Sequence, residues 1–147
     1  LADSKRQLIM DAVVARLVTI QGLSPYSTSV GQNIFEWREH PLTEGELPGI
    51  IVRDTDTITS LTHSRSQHVM RVEFEAFVAG AAAPRDFRNV LGDIQRAIGQ
   101  DTTWGGLAEQ TLFVAESLQA DTESRRLISV LSFWDITFLT DYNNPET

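Results

Sequence analysis

Residues 69–98 constrain the chain most, because a strand pattern there runs at once into a helix pattern. In Val69-Met70-Arg71-Val72-Glu73-Phe74-Glu75-Ala76-Phe77-Val78, the apolar Met70, Val72, Phe74, Ala76 and Val78 alternate with Arg71, Glu73 and Glu75. This two-residue period is that of a half-buried strand. Gly80 and three alanines follow, and Pro84 stands where a first helical turn accepts a fixed φ and a missing N–H. Phe87, Val90, Leu91, Ile94 and Ile98 then recur at helical spacing, with Arg85, Asp86, Arg88, Asp93, Gln95 and Arg96 on the rest of the surface. Burying those five apolar side chains is worth about 8–15 kcal/mol gross, before ordering entropy is subtracted. The helix must therefore lie on a sheet, and its own preceding strand is the nearest candidate.

The rest of the chain has to complete that sheet. Ser4 is placed to cap a first helix over about 4–21, with Leu8, Ile9, Ala12, Val13, Leu17 and Ile20 as its apolar stripe and Gly22 at its end. Residues 23–46 break into Ser, Thr, Pro, Gly and charged residues around isolated Val30, Ile34, Phe35 and Trp37. That is long for a structureless loop, so short strand-like pieces or a partner surface are expected. Leu47-Pro48 leads into a short buried strand, Gly49-Ile50-Ile51-Val52. Residues 54–67 are nearly all polar, with Ile58 and Leu61 the apolar exceptions, and read as a polar hairpin excursion with a mobile tip.

Residues 99–106, Gly-Gln-Asp-Thr-Thr-Trp-Gly-Gly, form a turn signature. A third strand is expected over 107–120, centred on 111–115, with a turn at 121–124. The longest strand candidate runs from Arg126 to Thr140. Both of its faces are substantially apolar: Ile128, Val130, Trp134, Ile136 and Phe138 on one, Leu127, Leu131, Phe133 and Leu139 on the other. A strand buried on one side needs only one such face, so a helix or another subunit is expected to cover the second. Residues 141–147 read as a short polar tail. The pattern describes a single α+β domain spanning 1–147, with a mixed or antiparallel sheet of about four main strands packed on two helices.

Several functions are disfavoured by composition. The formal net charge of −8 offers no cation cluster for releasing phosphate counterions, so tight nucleic-acid binding is not expected. The chain has no cysteine, hence no disulfide, thiolate metal site or cysteine nucleophile. No apolar run reaches the length of a membrane span, and no signal peptide is recognisable; the first residue is Leu1, so a short upstream segment could precede it.

No motif announces a catalytic site. His40, His63 and His68 lack metal-ligand spacing and read as solvated, and Asp54 with Asp56 reads as an ordinary charged loop. Glu73 and Glu75 read as a solvated acid pair on the polar face of the central strand. No nucleophile elbow, phosphate loop or dinucleotide fingerprint occurs. The expectation is no enzyme, no metal and no cofactor. Trp104 in the turn and Phe133-Trp134 on the last strand suit either core packing or a partner contact. Ile58, Leu61 and Arg65 suit a partner-binding arm, the two apolar residues reaching one small pocket and Arg65, with His63 and His68 nearby, meeting acidic groups on a neighbour.

The order of a helix, the Leu47-Pro48-Gly49-Ile50-Ile51-Val52 strand, a long strand, an amphipathic helix, the Asp101-Thr102-Thr103-Trp104-Gly105-Gly106 turn, two strands ending near Tyr142 and a short tail resembles the tail terminator (tail completion) proteins of long-tailed bacteriophages. The resemblance implies an α+β subunit of a homohexameric ring in the virion tail, assembled in the host cytoplasm. It implies a ring that sits on the last tail-tube ring, ends tube polymerisation and presents the surface that joins the head. The implied partners are the chain itself, the tail-tube protein and a head-completion or neck protein, with DNA passing through the pore without specific binding and no membrane. The resemblance implies no catalysis. Residues 23–46 and 54–67 depart from a compact family member. The alternatives are a neck, head-completion or tail-tube subunit and, in a different class, a small-molecule-binding α+β domain or enzyme.

Overall fold

The computed structural model describes residues 2–121 and 127–147. It holds two α-helices, α1 (Lys5–Val18) and α2 (Ala83–Gly99), and five strands: β1 (Ile34–Glu36), β2 (Gly49–Thr62), β3 (Arg65–Val78), β4 (Gln110–Asp121) and β5 (Leu127–Asp141). The expected turn at 121–124 and the start of the last strand at Arg126 fall largely outside the described residues.

One sheet carries the fold, in the order β1-β2-β3-β5-β4. β1 runs parallel to β2, and every other pairing is antiparallel. The alternation seen over 69–78 is realised in β3: Met70, Val72, Phe74 and Ala76 are buried beneath the helices. Ile9, Val13 and Leu17 of α1 and Val90, Ile94, Ala97 and Ile98 of α2 meet Ile50 and Val52 of β2 and Val130, Trp134 and Ile136 of β5 in the same core. Phe87 and Leu91, expected in that core, are only partly buried against its border.

Helix α1 begins where the sequence places it. The Ser4 hydroxyl accepts the Gln7 backbone N–H at 3.2 Å, satisfying one of the free donors of the first turn. The helix ends at Val18, earlier than expected, and Ile20 continues into the core from the following turn. Segment 23–46 holds β1 and two short 3-10 turns, Val30–Gln32 and Glu44–Glu46. Gly31 lies so close to the end of α1 that a Cβ there would stand 2.6 Å from the carbonyl oxygens of Leu17, Val18 and Ile20. Its N–H donates to Ile20 O at 2.8 Å.

Asp93 overturns its placement on the solvent face of α2. Its side chain has 0% exposure and accepts the N–H of Ser27 (3.0 Å), the N–H of Thr28 (2.8 Å) and the Thr28 hydroxyl (2.6 Å). A buried carboxylate is tolerated because the returning 23–46 segment supplies these donors.

The polar excursion is a hairpin, as its pattern suggests, and it is paired along its length. β2 runs unbroken in pairing terms to Thr62 apart from a bulge between Asp54 and Thr57, and β3 starts at Arg65. A two-residue turn joins them, His63 and Ser64 both having positive φ (46° and 67°), as a tight hairpin requires. β5 extends alongside as far as Asp141 opposite Arg65, so this end is a three-stranded wing. Backbone pairing, not apolar content, makes these residues strand. At the other side of the sheet, β4 starts at Gln110 rather than at residue 107.

Among the described residues, the sheet face away from the helices is covered only at one end. Leu42, with Phe35 and Leu47, packs on Ile51 and Phe77. The covering loop is braced by Arg38 pairing with Glu46, whose carboxylate also accepts the Thr43 N–H and hydroxyl. Those hydrogen bonds, from Arg38 first and then Thr43, hold Glu46 down to about 2. Elsewhere on this face Arg53 reaches Glu75 at 3.0 Å and Glu73 at 3.5 Å, and Arg71 reaches Asp135 at 2.7 Å. Glu73 and Glu75 are thus ion-paired across the sheet, not free carboxylates. The second apolar face of β5 has Leu131 and Phe133 half-buried among these pairs, with no helix over them among the described residues.

Candidate assembly interface

The residues singled out from the sequence divide into core and surface. Trp104 is buried: its indole N–H donates to the Thr111 hydroxyl at 2.8 Å, and the Arg16 guanidinium lies 4.1 Å from its ring centroid. Arg16 also donates to Asp101 O at 2.6 Å and Ala97 O at 3.2 Å, closing the carboxyl end of α2. The turn itself is built on Asp101, which accepts the Thr103 hydroxyl (2.6 Å), the Thr103 N–H (2.9 Å) and the Gly105 N–H (2.8 Å). These bonds, the Thr103 hydroxyl foremost, hold its carboxyl down to about 2. Trp134 is buried too, donating to Ser132 Oγ at 2.8 Å. For both tryptophans core packing, not partner contact, is the outcome, because each indole N–H finds a partner inside the chain.

Phe133 is half-buried on the uncovered sheet face, 6.0 Å from the Arg71 guanidinium. Ile58 and Leu61 are the most exposed apolar side chains of the wing, at 74% and 68%. They do not reach one pocket. Ile58 lies opposite Val69 and Leu61 opposite Ser66, which puts them on opposite faces of the sheet. Arg65 is occupied within the chain, by Asp141 at 3.2 Å and an oxygen of Thr147 at 2.7 Å.

The longest run of exposed apolar side chains lies on β4, whose pattern is that of an ordinary third strand. From Leu112 to Gln119 every residue is exposed. Leu112 (54%) sits opposite Asp135 on the uncovered face, while Phe113 (50%) and Leu118 (53%) lie opposite Trp134 and Val130 on the helix face. The Phe113 ring meets Trp134 edge-on at 5.2 Å, leaving its outer side open. Two helices do not span five strands, and β4 is the strand left bare. Its consecutive Leu112-Phe113-Val114 reads locally like a buried strand, so sequence alone offers no signal for this position.

A second surface feature lies beneath the wing. Ser4, Arg6, Thr57, Thr59, His68, Phe138, Thr140, Asn143 and Pro145 are among the residues lining a cavity of about 560 Å³. His68, expected to be solvated, stacks on Phe138 at 4.8 Å and sits between the hydroxyls of Thr59 and Thr140, each at 2.9 Å. Burial and the Arg6 charge push its pKa down. Arg6 holds Asp54 at 2.7 Å and donates to the Thr57 hydroxyl at 2.9 Å. At Asp54 burial pushes the pKa up, and bonds from Trp37 and Arg6 more than offset it, leaving the carboxyl below its ordinary value. The tail is fastened here as well, Pro145 O accepting the Lys5 N–H at 2.8 Å.

Among the described residues no group of three or more His, Asp or Glu could hold a metal ion, and no helix is long and apolar enough to cross a membrane. No protein-family model matches the chain, and no curated protein matches it. Among solved structures it is similar to a chain from the virion of a native gene transfer agent particle, with a TM-score of 0.43 and 12% identity over 93% of this chain and 92% of that one.

Proposed function

We propose that this chain is a structural virion protein, a subunit of a homohexameric ring that caps a phage tail tube, ends its polymerisation and presents the surface that joins the head. The observation carrying this reading is β4: a monomer that leaves Leu112, Phe113, Val114 and Leu118 exposed on both faces of an outer strand presents a surface that an assembly would cover. The sequence resemblance supplies the kind of assembly. Leu47-Pro48 leads into β2 and the Asp101-centred turn joins α2 to β4, the positions the resemblance gives those two motifs. The acidic charge suits a DNA conduit, because a negative lumen repels passing phosphates. In this reading the chain performs no chemistry and needs no cofactor; its partners are itself, the tube protein and a neck protein, and it resides in the tail.

Electron microscopy of tail tubes assembled with and without the purified chain tests this. Rings at one tube end, with tubes of arrested length, are the expected result. Co-polymerisation along the whole tube would make it a tube subunit instead, and tubes left bare would remove the tail-capping role.

A further inference from the structure

We infer that the bare edge of β4 docks on a second copy of this chain, pairing antiparallel with the free edge of β2 at residues 58–62. The inference rests on the ring reading above and deepens it by naming the contact. Both halves of the contact are on the molecule. Beyond β5, β4 has no strand partner among the described residues. On the opposite side of the sheet β1 pairs only with Ile50, Ile51 and Val52, so the outer side of β2 from Ile58 to Thr62 likewise has no strand partner among the described residues.

The two edges match in direction, reach, polarity and charge. β4 runs opposite to β5, β5 to β3 and β3 to β2, so β4 runs opposite to β2. A copy added edge to edge in the same orientation therefore brings the two strands together antiparallel, the better-paired arrangement. The free stretch of β2 spans about 17 Å at the usual rise, well within the 12 residues of β4. Each edge exposes apolar side chains on both faces: Ile58 and Leu61 on one, Leu112, Phe113 and Leu118 on the other.

The occupant is a second copy because the chain carries both complementary free edges, and charge does not oppose it. Two chains of net charge −8 repel, yet residues 57–62 carry no charge and Glu116 is alone among residues 110–119. These are the stretches where two acidic copies approach at least coulombic cost. Because the two edges differ, the contact is heterologous, and repetition closes into a ring or continues as a filament.

The absence of cysteine makes a cross-linking test clean. Ser60 and Ser117 are exposed and share the uncovered face, Ser60 lying opposite Gln67 and Ser117 opposite Leu131. Ser60→Cys and Ser117→Cys are made separately and together and treated with a short flexible bis-maleimide. A linked dimer is expected when the two single variants are mixed and from neither alone, with a ladder ending in a closed product from the double variant. Dimers from Ser117→Cys alone would mean that β4 meets β4, and would overturn the inference. Oligomers by light scattering without a mixed cross-link would overturn this contact but leave the ring reading standing. A ladder from a chain that leaves tube ends bare would uphold the contact and remove the tail-capping role. Leu118→Lys, on a side chain already exposed in the monomer, should weaken self-association about tenfold or more while leaving the thermal midpoint of the subunit unchanged. Unaltered association in that variant would also overturn the inference.

Discussion

Replacing Asp93 by alanine should be among the more damaging single changes in this chain, although the residue sits on a helix whose pattern marks it as surface. The carboxylate receives two backbone N–H groups, one hydroxyl and the Arg96 guanidinium, the last at 3.0 Å. Hydrogen bonds to a charged group are worth about 1.5–3 kcal/mol each, so the three from Ser27 and Thr28 total about 4.5–9 kcal/mol if nothing replaces them. Ser27 is exposed and Thr28 half-buried, so water recovers part of that. A net loss of about 3–5 kcal/mol remains, the usual cost of breaking a buried charged contact and a large share of the stability of a domain this size. Urea unfolding at neutral pH measures it as a shift in midpoint at constant slope. Arg96→Ala is the control: its side chain is 50% exposed, so water can replace the single bond it gives the buried Asp93, and the loss should stay below about 1 kcal/mol. Hydrogen exchange should show the Ser27 and Thr28 amides losing protection in Asp93→Ala and keeping it in Arg96→Ala. A loss below about 1 kcal/mol for Asp93→Ala, or equal losses for the two variants, would refute the anchoring argument.

Ile94→Ala should cost about 2–5 kcal/mol in the same assay, and Leu91→Ala less, because Ile94 is fully enclosed and Leu91 lies at the border of the core. Trp104→Phe removes the hydrogen bond to Thr111 and weakens the Arg16 stacking, for a loss of about 1–3 kcal/mol by thermal or urea unfolding. Because the folded state holds the Asp101 carboxyl at about 2, its contribution is complete above the ordinary carboxylate range and is lost as pH falls from about 4 toward 2. Asp101→Asn should therefore flatten the stability profile in that window and change little of its slope at neutral pH. His68 carries the same sign from a different cause: its lowered pKa favours the neutral ring, so stability falls as pH drops through the ordinary histidine range near 6.5, and His68→Gln should remove that slope.

The local patterns that sequence could carry are those whose period is set by backbone geometry. Alternation over 69–78 and helical recurrence over 84–98 need no partner to be recognised, and β3 and α2 form there. Ser4 as a cap and the Asp101-Thr102-Thr103 turn belong with them, since each bonds backbone within four residues. What depends on distant segments was not legible in this way. The hairpin over 54–67 was legible as such, but that its strands join β5 in a three-stranded wing depends on the end of the chain returning beside β3. Asp93 is buried because a segment some 65 residues away returns with three donors for it. Trp104 is core because Arg16 of α1 lies over its ring, and Trp134 because it shares the core with side chains of both helices. The bareness of β4 was decided last: its run of apolar residues suits burial, and only the sheet order, with two helices placed over the strands on one side of it, left that strand at the edge without a cover. Periodicity records which side chains share a face, whereas what lies over that face depends on how the whole chain packs.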